Sequence, residues 1–279
     1  MMRAEVDVRT AAGVVRGSRW ESGVAVFRGI PYAEPPFGLR RFAAPVPVAR
    51  WDGVRDAITF GPPVAQAGHS GAVMSSVSGS VADGSVDCLT LSVWSPVLGA
   101  ARLPVMVWIH GGRYLQGSSA NPHHDGATLA ARGVVVVVVS MNYRVGAEGF
   151  AHIHGAPDNR GILDQLAALR WVQDNIAAFG GEPNTVTIFG QSAGAGSVAT
   201  LLAMPMATGL FRRAIAQSVP GTFFSLGLAS AVSESIAAEL GARPAAAELA
   251  RFSPRALIEA TETVIHRCQN SLRRGGLWR

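Results

Sequence analysis

Lysine is absent: all 24 basic residues of this 279-residue chain are arginines. That reads as compositional bias. Against 19 acidic residues they leave a net charge of +5. The arginines are scattered, with no basic run longer than Arg40-Arg41, Arg212-Arg213 or Arg273-Arg274. A nucleic-acid-binding face needs clustered cations, so that class is set aside. Cysteine is nearly absent too. Cys88 and Cys268 make no disulfide framework and have no metal-ligand spacing. Long apolar runs are missing: the longest, Val105 to Ile109 and Val134 to Val139, are far shorter than a bilayer span. The opening residues, Met1 to Val8, are charged and have no apolar centre, which is not the pattern of a signal peptide. Cytoplasmic residence is therefore the expectation. Charged residues are only 15% of the chain and hydrophobic ones 48%, which excludes a disordered class.

Glycine is abundant, and one pair of glycines carries chemistry. Gly190-Gln191-Ser192-Ala193-Gly194 reads G-x-S-x-G, the nucleophile elbow of a serine hydrolase. A serine hydroxyl becomes a nucleophile when a sharp turn lifts it clear of the backbone, beside donors and within reach of a base. The context fits. Thr185 to Phe189 is a β-branched run with the look of a buried strand, and Ala193 to Met204 reads as a helix stopped at Pro205. Upstream, Val105 to Ile109 runs into His110-Gly111-Gly112. Glycines after a buried strand let backbone N–H groups face a cavity, where they stabilise the oxyanion of acyl transfer. Paired with the elbow, this loop reads as an oxyanion hole shared with the N–H of Ala193. His110 precedes the serine, so it reads as a residue shaping the loop and not as the base. His69, His123, His124, His152 and His154 lie in polar, turn-like segments and read as surface positions.

The chain shows no repeat. Residues 5–65 form an antiparallel hairpin region followed by Pro- and Gly-rich irregular chain, and residues 68–85 read as a mobile surface loop. From Leu89 on, strand-like segments at 89–94, 105–109, 134–140 and 185–189 alternate with helical ones, which predicts an α/β fold with a mostly parallel sheet. Apolar residues at 162, 166, 169, 172, 176 and 179 predict one helix over 162–179, ended by Gly180-Gly181 and Pro183.

Several blocks together resemble one family. FRGIPYAEPPFGLRRF (27–42), VDCLTLSVWSP (86–96), HGG (110–112), SMNYRVGAEGF (140–150) and residues 162–194 follow one another as in the type-B carboxylesterases, the cholinesterase-like branch of the α/β-hydrolases. The likeness spans residues 8–222. It implies the α/β-hydrolase fold with helices on both sheet faces, ester hydrolysis of small molecules and no cofactor or metal. It further implies Ser192 as acyl-forming nucleophile. The implied oxyanion hole is the N–H groups of Gly112, Arg113 and Ala193, with Gly111 allowing close approach. Two positions depart from the family: Arg113 stands where a small residue is usual, and Gln191 where Glu is more common. Cys88 matches a family cysteine whose upstream partner is missing here, which implies a free buried thiol.

The third departure is at the end. The family's acid and histidine lie well downstream of the serine, but only 87 residues follow Ser192 (279 − 192). The candidates there are Glu234, Glu239, Glu248, Glu259, Glu262 and the single His266. Glu259, Glu262 and His266 share one amphipathic segment, 254–268, and read as a solvated helix face. The expectation is one incomplete α/β-hydrolase domain over 1–279, truncated at its C-terminus, with a divergent tail at 223–279. Three readings stay open: an ester hydrolase, a catalytically impaired remnant of one, and a non-enzymatic binding module of the same family. Amidase or thioesterase action is not separated from ester hydrolysis, and the oligomeric state is open.

Overall fold

The computed structural model describes residues 4–67, 73–74, 87–131, 135–221 and 223–273. The loop expected at 68–85 lies outside these residues except for 73–74, as do His69 and residues 274–279. A nine-stranded sheet organises the described chain. The strands β1 (Ala4–Arg9), β2 (Val14–Arg19) and β3 (Ala25–Pro31) form an antiparallel meander, and β4 (Val54–Asp56) adds to β2. β5 (Gln66–Ala67) and β6 (Val73–Met74) make a separate two-stranded ribbon. The main sheet continues through β7 (Thr90–Ser95), β9 (Val137–Met141), β8 (Leu103–Ile109), β10 (Gly181–Gln191) and β11 (Arg213–Gln217), side by side in that order. β9, β8, β10 and β11 are mutually parallel, and β7 joins them to the antiparallel half. The predicted alternation of strands and helices thus forms the parallel half, because crossover helices return each strand in the same direction.

Helices cover the sheet unequally. They are α1 (Ala127–Ala131), α2 (Gly146–Phe150), α3 (Arg160–Asn175), α4 (Ala193–Ala203), α5 (Leu226–Glu239), α6 (Ala246–Leu249) and α7 (Pro254–Arg273). On one face Val105, Val107 and Ile109 of β8 pack with Val186 and Ile188 of β10 and with Ile162, Leu166, Leu169 and Val172 of α3. The opposite face has a smaller cluster, in which Val24, Val26, Trp94 and Val138 meet Ala130 of α1. β9 is buried throughout, whereas Met106 and Trp108 of β8 are only half-buried. The helix expected over 162–179 changes character near its end. The α-helix stops at Asn175, residues 176–179 tighten into a 3₁₀ turn, and Gly180 closes it at φ 88°. Pro183 falls inside β10, where the register with β8 shifts between Gly181 and Val186; the irregularity admits a residue with no N–H to give. Helices α5, α6 and α7 bury Ile236, Leu249, Leu257 and Val264 together with Phe42 and Ile153 in a third cluster.

Candidate active site

Ser192 sits at the turn from β10 into α4, with φ 55° and ψ −122°. A side chain that is not glycine rarely adopts this backbone, and its strain marks functional turns. Neighbours hold the turn in place. The Ser192 N–H donates to the Gln217 carbonyl of β11 at 3.0 Å, and the Gly196 N–H donates to the Ser192 carbonyl at 2.9 Å. The elbow also needs the end of β8 pressed against it. A Cβ on Gly194 would lie 2.0 Å from the Ile109 carbonyl oxygen, so only glycine fits. Ala193 is the first residue of α4, where a helix leaves its N–H groups without intrahelical acceptors.

The loop after β8 meets this elbow. A Cβ on Gly111 would lie 2.7 Å from the Gln191 carbonyl oxygen and 3.4 Å from Ser192 Cβ. The sequence-predicted loop and nucleophile are therefore brought together. Gly112 takes φ 117°, and its carbonyl accepts from the N–H groups of Leu115 and Gln116 at 3.0 and 3.1 Å. Arg113 and Tyr114 follow at φ 61° and 60°, two successive left-handed residues. Among the described residues, no acceptor takes the N–H of Gly112 or Arg113. Gly112 and Arg113 follow Gly111, and Ala193 follows Ser192, so three backbone N–H groups without a described acceptor lie on the two segments that meet here. An anion forming beside Ser192 would find them already oriented.

His110 is fully buried. Its ring stacks on Tyr143 with centroids 4.2 Å apart, and its Nδ1 lies 2.8 Å from the Gly111 carbonyl oxygen. Burial holds its pKa down at about 4, so the ring is neutral at ordinary pH. The Tyr143 hydroxyl donates to the His110 carbonyl at 2.6 Å, locking the start of the loop. His124 corrects the sequence reading: it is half-buried, with its ring 5.3 Å from that of Trp108, and burial lowers its pKa. His123 and His154 are exposed, and His152 pairs with Asp158 at 2.7 Å. Cys88 is free and buried, its thiol pushed up to about 12 by burial.

Several supports of the loop escaped the sequence pattern. Gln66 clamps Gly117 with both ends of its amide: Oε1 accepts the Gly117 N–H at 2.7 Å and Nε2 donates to the Gly117 carbonyl at 2.9 Å. Asn142 Oδ1 accepts the Ser119 N–H at 2.8 Å. Arg144 makes a bidentate buried pair with Asp164, with N···O distances of 2.8 and 2.7 Å. Asn142, Tyr143 and Arg144 fall inside the family block 140–150, which was the available signal; Gln66 follows an irregular segment and gave none.

Among the described residues, none of the downstream acids nor His266 hydrogen-bonds Ser192. Glu259 pairs with Arg255 one turn earlier on α7 at 2.8 Å, and His266 is exposed on the same helix. Glu239 pairs with Arg267 and Glu248 with Arg243. Among the described residues, no side chain hydrogen-bonds Ser192 Oγ.

Comparison with known proteins finds relatives of this chain among the carboxylesterases. The chain is 47% identical over 215 residues to the para-nitrobenzyl esterase of Bacillus subtilis, covering 76% of this chain and 43% of that one. It is 46% identical over 228 residues to human carboxylesterase 3, covering 77% and 39%. A crystal structure of a Geobacillus stearothermophilus carboxylesterase superposes with a TM-score of 0.83 at 46% identity, covering 92% of this chain and 53% of that one. The fold is that of the α/β-hydrolases. The chain spans about half the length of the relatives it matches. The family match runs from residue 4 to residue 269, past residue 222 where the motif resemblance stops, and so takes in α5, α6 and most of α7. By the extent of that match and the identity of its relatives, this chain belongs to the carboxylesterase family.

Proposed function

We propose that this chain carries the acyl-transfer centre of a carboxylic ester hydrolase acting on small-molecule esters. The observation that carries the proposal is the strained Ser192 elbow with the Gly111-Gly112 loop packed against it. Ser192 Oγ attacks the ester carbonyl, and the oxyanion is held by the N–H groups of Gly112, Arg113 and Ala193. The carbonyl re-forms, the alcohol leaves with the proton given up by Ser192, and water then releases the acid from acyl-Ser192. Nucleophile and donors are all protein groups, so the chemistry calls for no cofactor or metal. The free, buried Cys88 supports a reducing, cytoplasmic setting.

A second reading rests on the unbonded Ser192 Oγ. In it, these 279 residues form a catalytically impaired esterase in which nothing assists the serine. Removing a triad partner leaves roughly 10³–10⁴-fold catalysis over water, supplied by the oxyanion hole and binding. Incubation with a fluorophosphonate probe and mass mapping of the adduct separates the two. Slow, Ser192-specific labelling, abolished in Ser192→Ala, is the expected result. Labelling of a different serine with Ser192 clean sinks the nucleophile assignment. No labelling at all supports the impaired reading. Fast Ser192-dependent ester turnover at neutral pH would show that a base exists in this chain, and His266→Ala then becomes the test of which one.

A further inference from the structure

Among the described residues, nothing pairs with the side chain of Arg113. Other arginines packed around the loop are committed. Arg144 is held by Asp164. Arg41 is held by Glu148 at 2.6 Å. Arg160 donates to the carbonyls of Glu148, Pro157, Ala147 and Ala151 between 2.7 and 3.0 Å. Arg113 is exposed, and among the described residues no carboxylate, carbonyl or ring takes its guanidinium. No Asp or Glu occurs between His110 and Pro122 or between Thr185 and Pro220, the two stretches that build the elbow and the loop. Neither stretch therefore supplies a carboxylate to Arg113.

The backbone holds this cation where glycine would be easier. Arg113 and Tyr114 are both left-handed, a backbone that side chains other than glycine rarely adopt. The strain persists because Tyr114 is anchored. Its carbonyl accepts the Gly146 N–H at 2.6 Å, and its ring lies 4.8 Å from Phe150. Its hydroxyl reaches over α4, 2.4 Å from where a Cβ on Gly196 would stand. Arg113 is thus fixed on the lip of the loop, one residue beyond Gly112 and two beyond the Gly111 that touches Ser192.

We infer that Arg113 is a specificity-determining residue that selects esters whose acyl part carries a carboxylate, the half-esters of dicarboxylic acids. In the proposed reaction its N–H serves the carbonyl oxygen, and the guanidinium at the end of the same exposed side chain is free to reach a second charged group a few bonds along the acyl chain. A planar guanidinium takes a carboxylate through two parallel hydrogen bonds, which a neutral acyl chain cannot offer. The inference rests on the Ser192 reading for its chemistry but not for its binding step.

Two measurements keep the two apart. The first compares p-nitrophenolate release from p-nitrophenyl hydrogen glutarate and from p-nitrophenyl pentanoate, in the unaltered chain, Arg113→Ala and Arg113→Glu. The charged-to-neutral ratio of second-order constants is read, so that any general change in the oxyanion loop cancels. Arg113→Ala is expected to lower the ratio about 3- to 10-fold, Arg113→Glu further, and the difference should shrink in high salt. A ratio unchanged in both variants overturns the inference. The second titrates monoethyl glutarate by protein NMR into Ser192→Ala with and without Arg113→Ala, where no reaction is needed. Weaker binding without Arg113 supports the inference, and equal binding overturns it. Release that is no slower in Ser192→Ala overturns the serine reading alone, leaving the titration to decide on Arg113.

Discussion

His110 shows how burial shifts a titratable group beside the Ser192 turn. Its folded-state pKa of about 4 lies below the ordinary value of 6.5 because the ring is buried. Protons therefore bind the unfolded chain first as pH falls, and stability drops between pH 6.5 and 4. The His110 share of that loss is about 2 kcal/mol at pH 5 and about 3 kcal/mol below pH 4. His124 acts in the same direction, since its pKa is also lowered by burial. Urea unfolding at pH 7.5 and pH 5 isolates the effect: His110→Gln should lose less stability on acidification than the unaltered chain. Parallel losses in both would show that His110 titrates normally. Gly194 gives a second test at this scale. Its missing Cβ is what lets Ile109 approach. Gly194→Ala should destabilise by about 1–3 kcal/mol and abolish Ser192 labelling, because the elbow must move to relieve the overlap. A variant with the original urea midpoint and full labelling would contradict this account of the elbow.

At the scale of elements, the segment between β9 and α2 is what fixes the loop after β8. Tyr143 bonds the loop's first residue, and Gly146 bonds Tyr114. The segment is in turn tied to α3 by the Arg144–Asp164 pair, whose side chains are almost fully enclosed. A buried pair that loses one member leaves a charge without a partner. Asp164→Ala should therefore cost about 3–5 kcal/mol, while Arg144→Met with Asp164→Leu should cost much less. A double-mutant cycle by chemical denaturation measures this. If the double variant is as unstable as the sum of the singles, the two residues do not act as a pair. The same cycle read by probe labelling asks whether loop position follows the pair or only overall stability.

For the molecule as a whole, the open edge of the sheet matters most. β11 pairs with β10 on one side and lies at the end of the strand order. Its Ile215 is 44% exposed, and Phe223, Phe224 and Leu226 just beyond it are 69%, 63% and 71% exposed. An unpaired apolar edge strand is a template for association. The 279-residue chain, purified by itself, should self-associate in light scattering, and Ile215→Lys should reduce that association. A monodisperse species with one cooperative thermal transition, unchanged by Ile215→Lys, would show that the edge is adequately protected as it stands. Among the described residues, no helix is long and apolar enough to cross a membrane.

Local pattern alone determined the strand–elbow–helix unit at 185–204, the glycine loop at 110–112 and the amphipathic face of α3. Each depends on neighbours within a few turns of chain, so periodicity and glycine placement carry it. The solvated character of α7 was readable for the same reason: Arg255 and Glu259 are one turn apart. Sequence could not place Gln66 on Gly117, which lies 51 residues away, or bury His124 against Trp108, because such contacts arise only when distant segments pack. Nor could it show that Gly111 packs against the Ser192 turn across 81 positions (192 − 111). Those facts follow from β8 and β10 lying side by side in parallel register. That pairing sets the ends of both strands at one edge of the sheet, where the loop and the elbow meet.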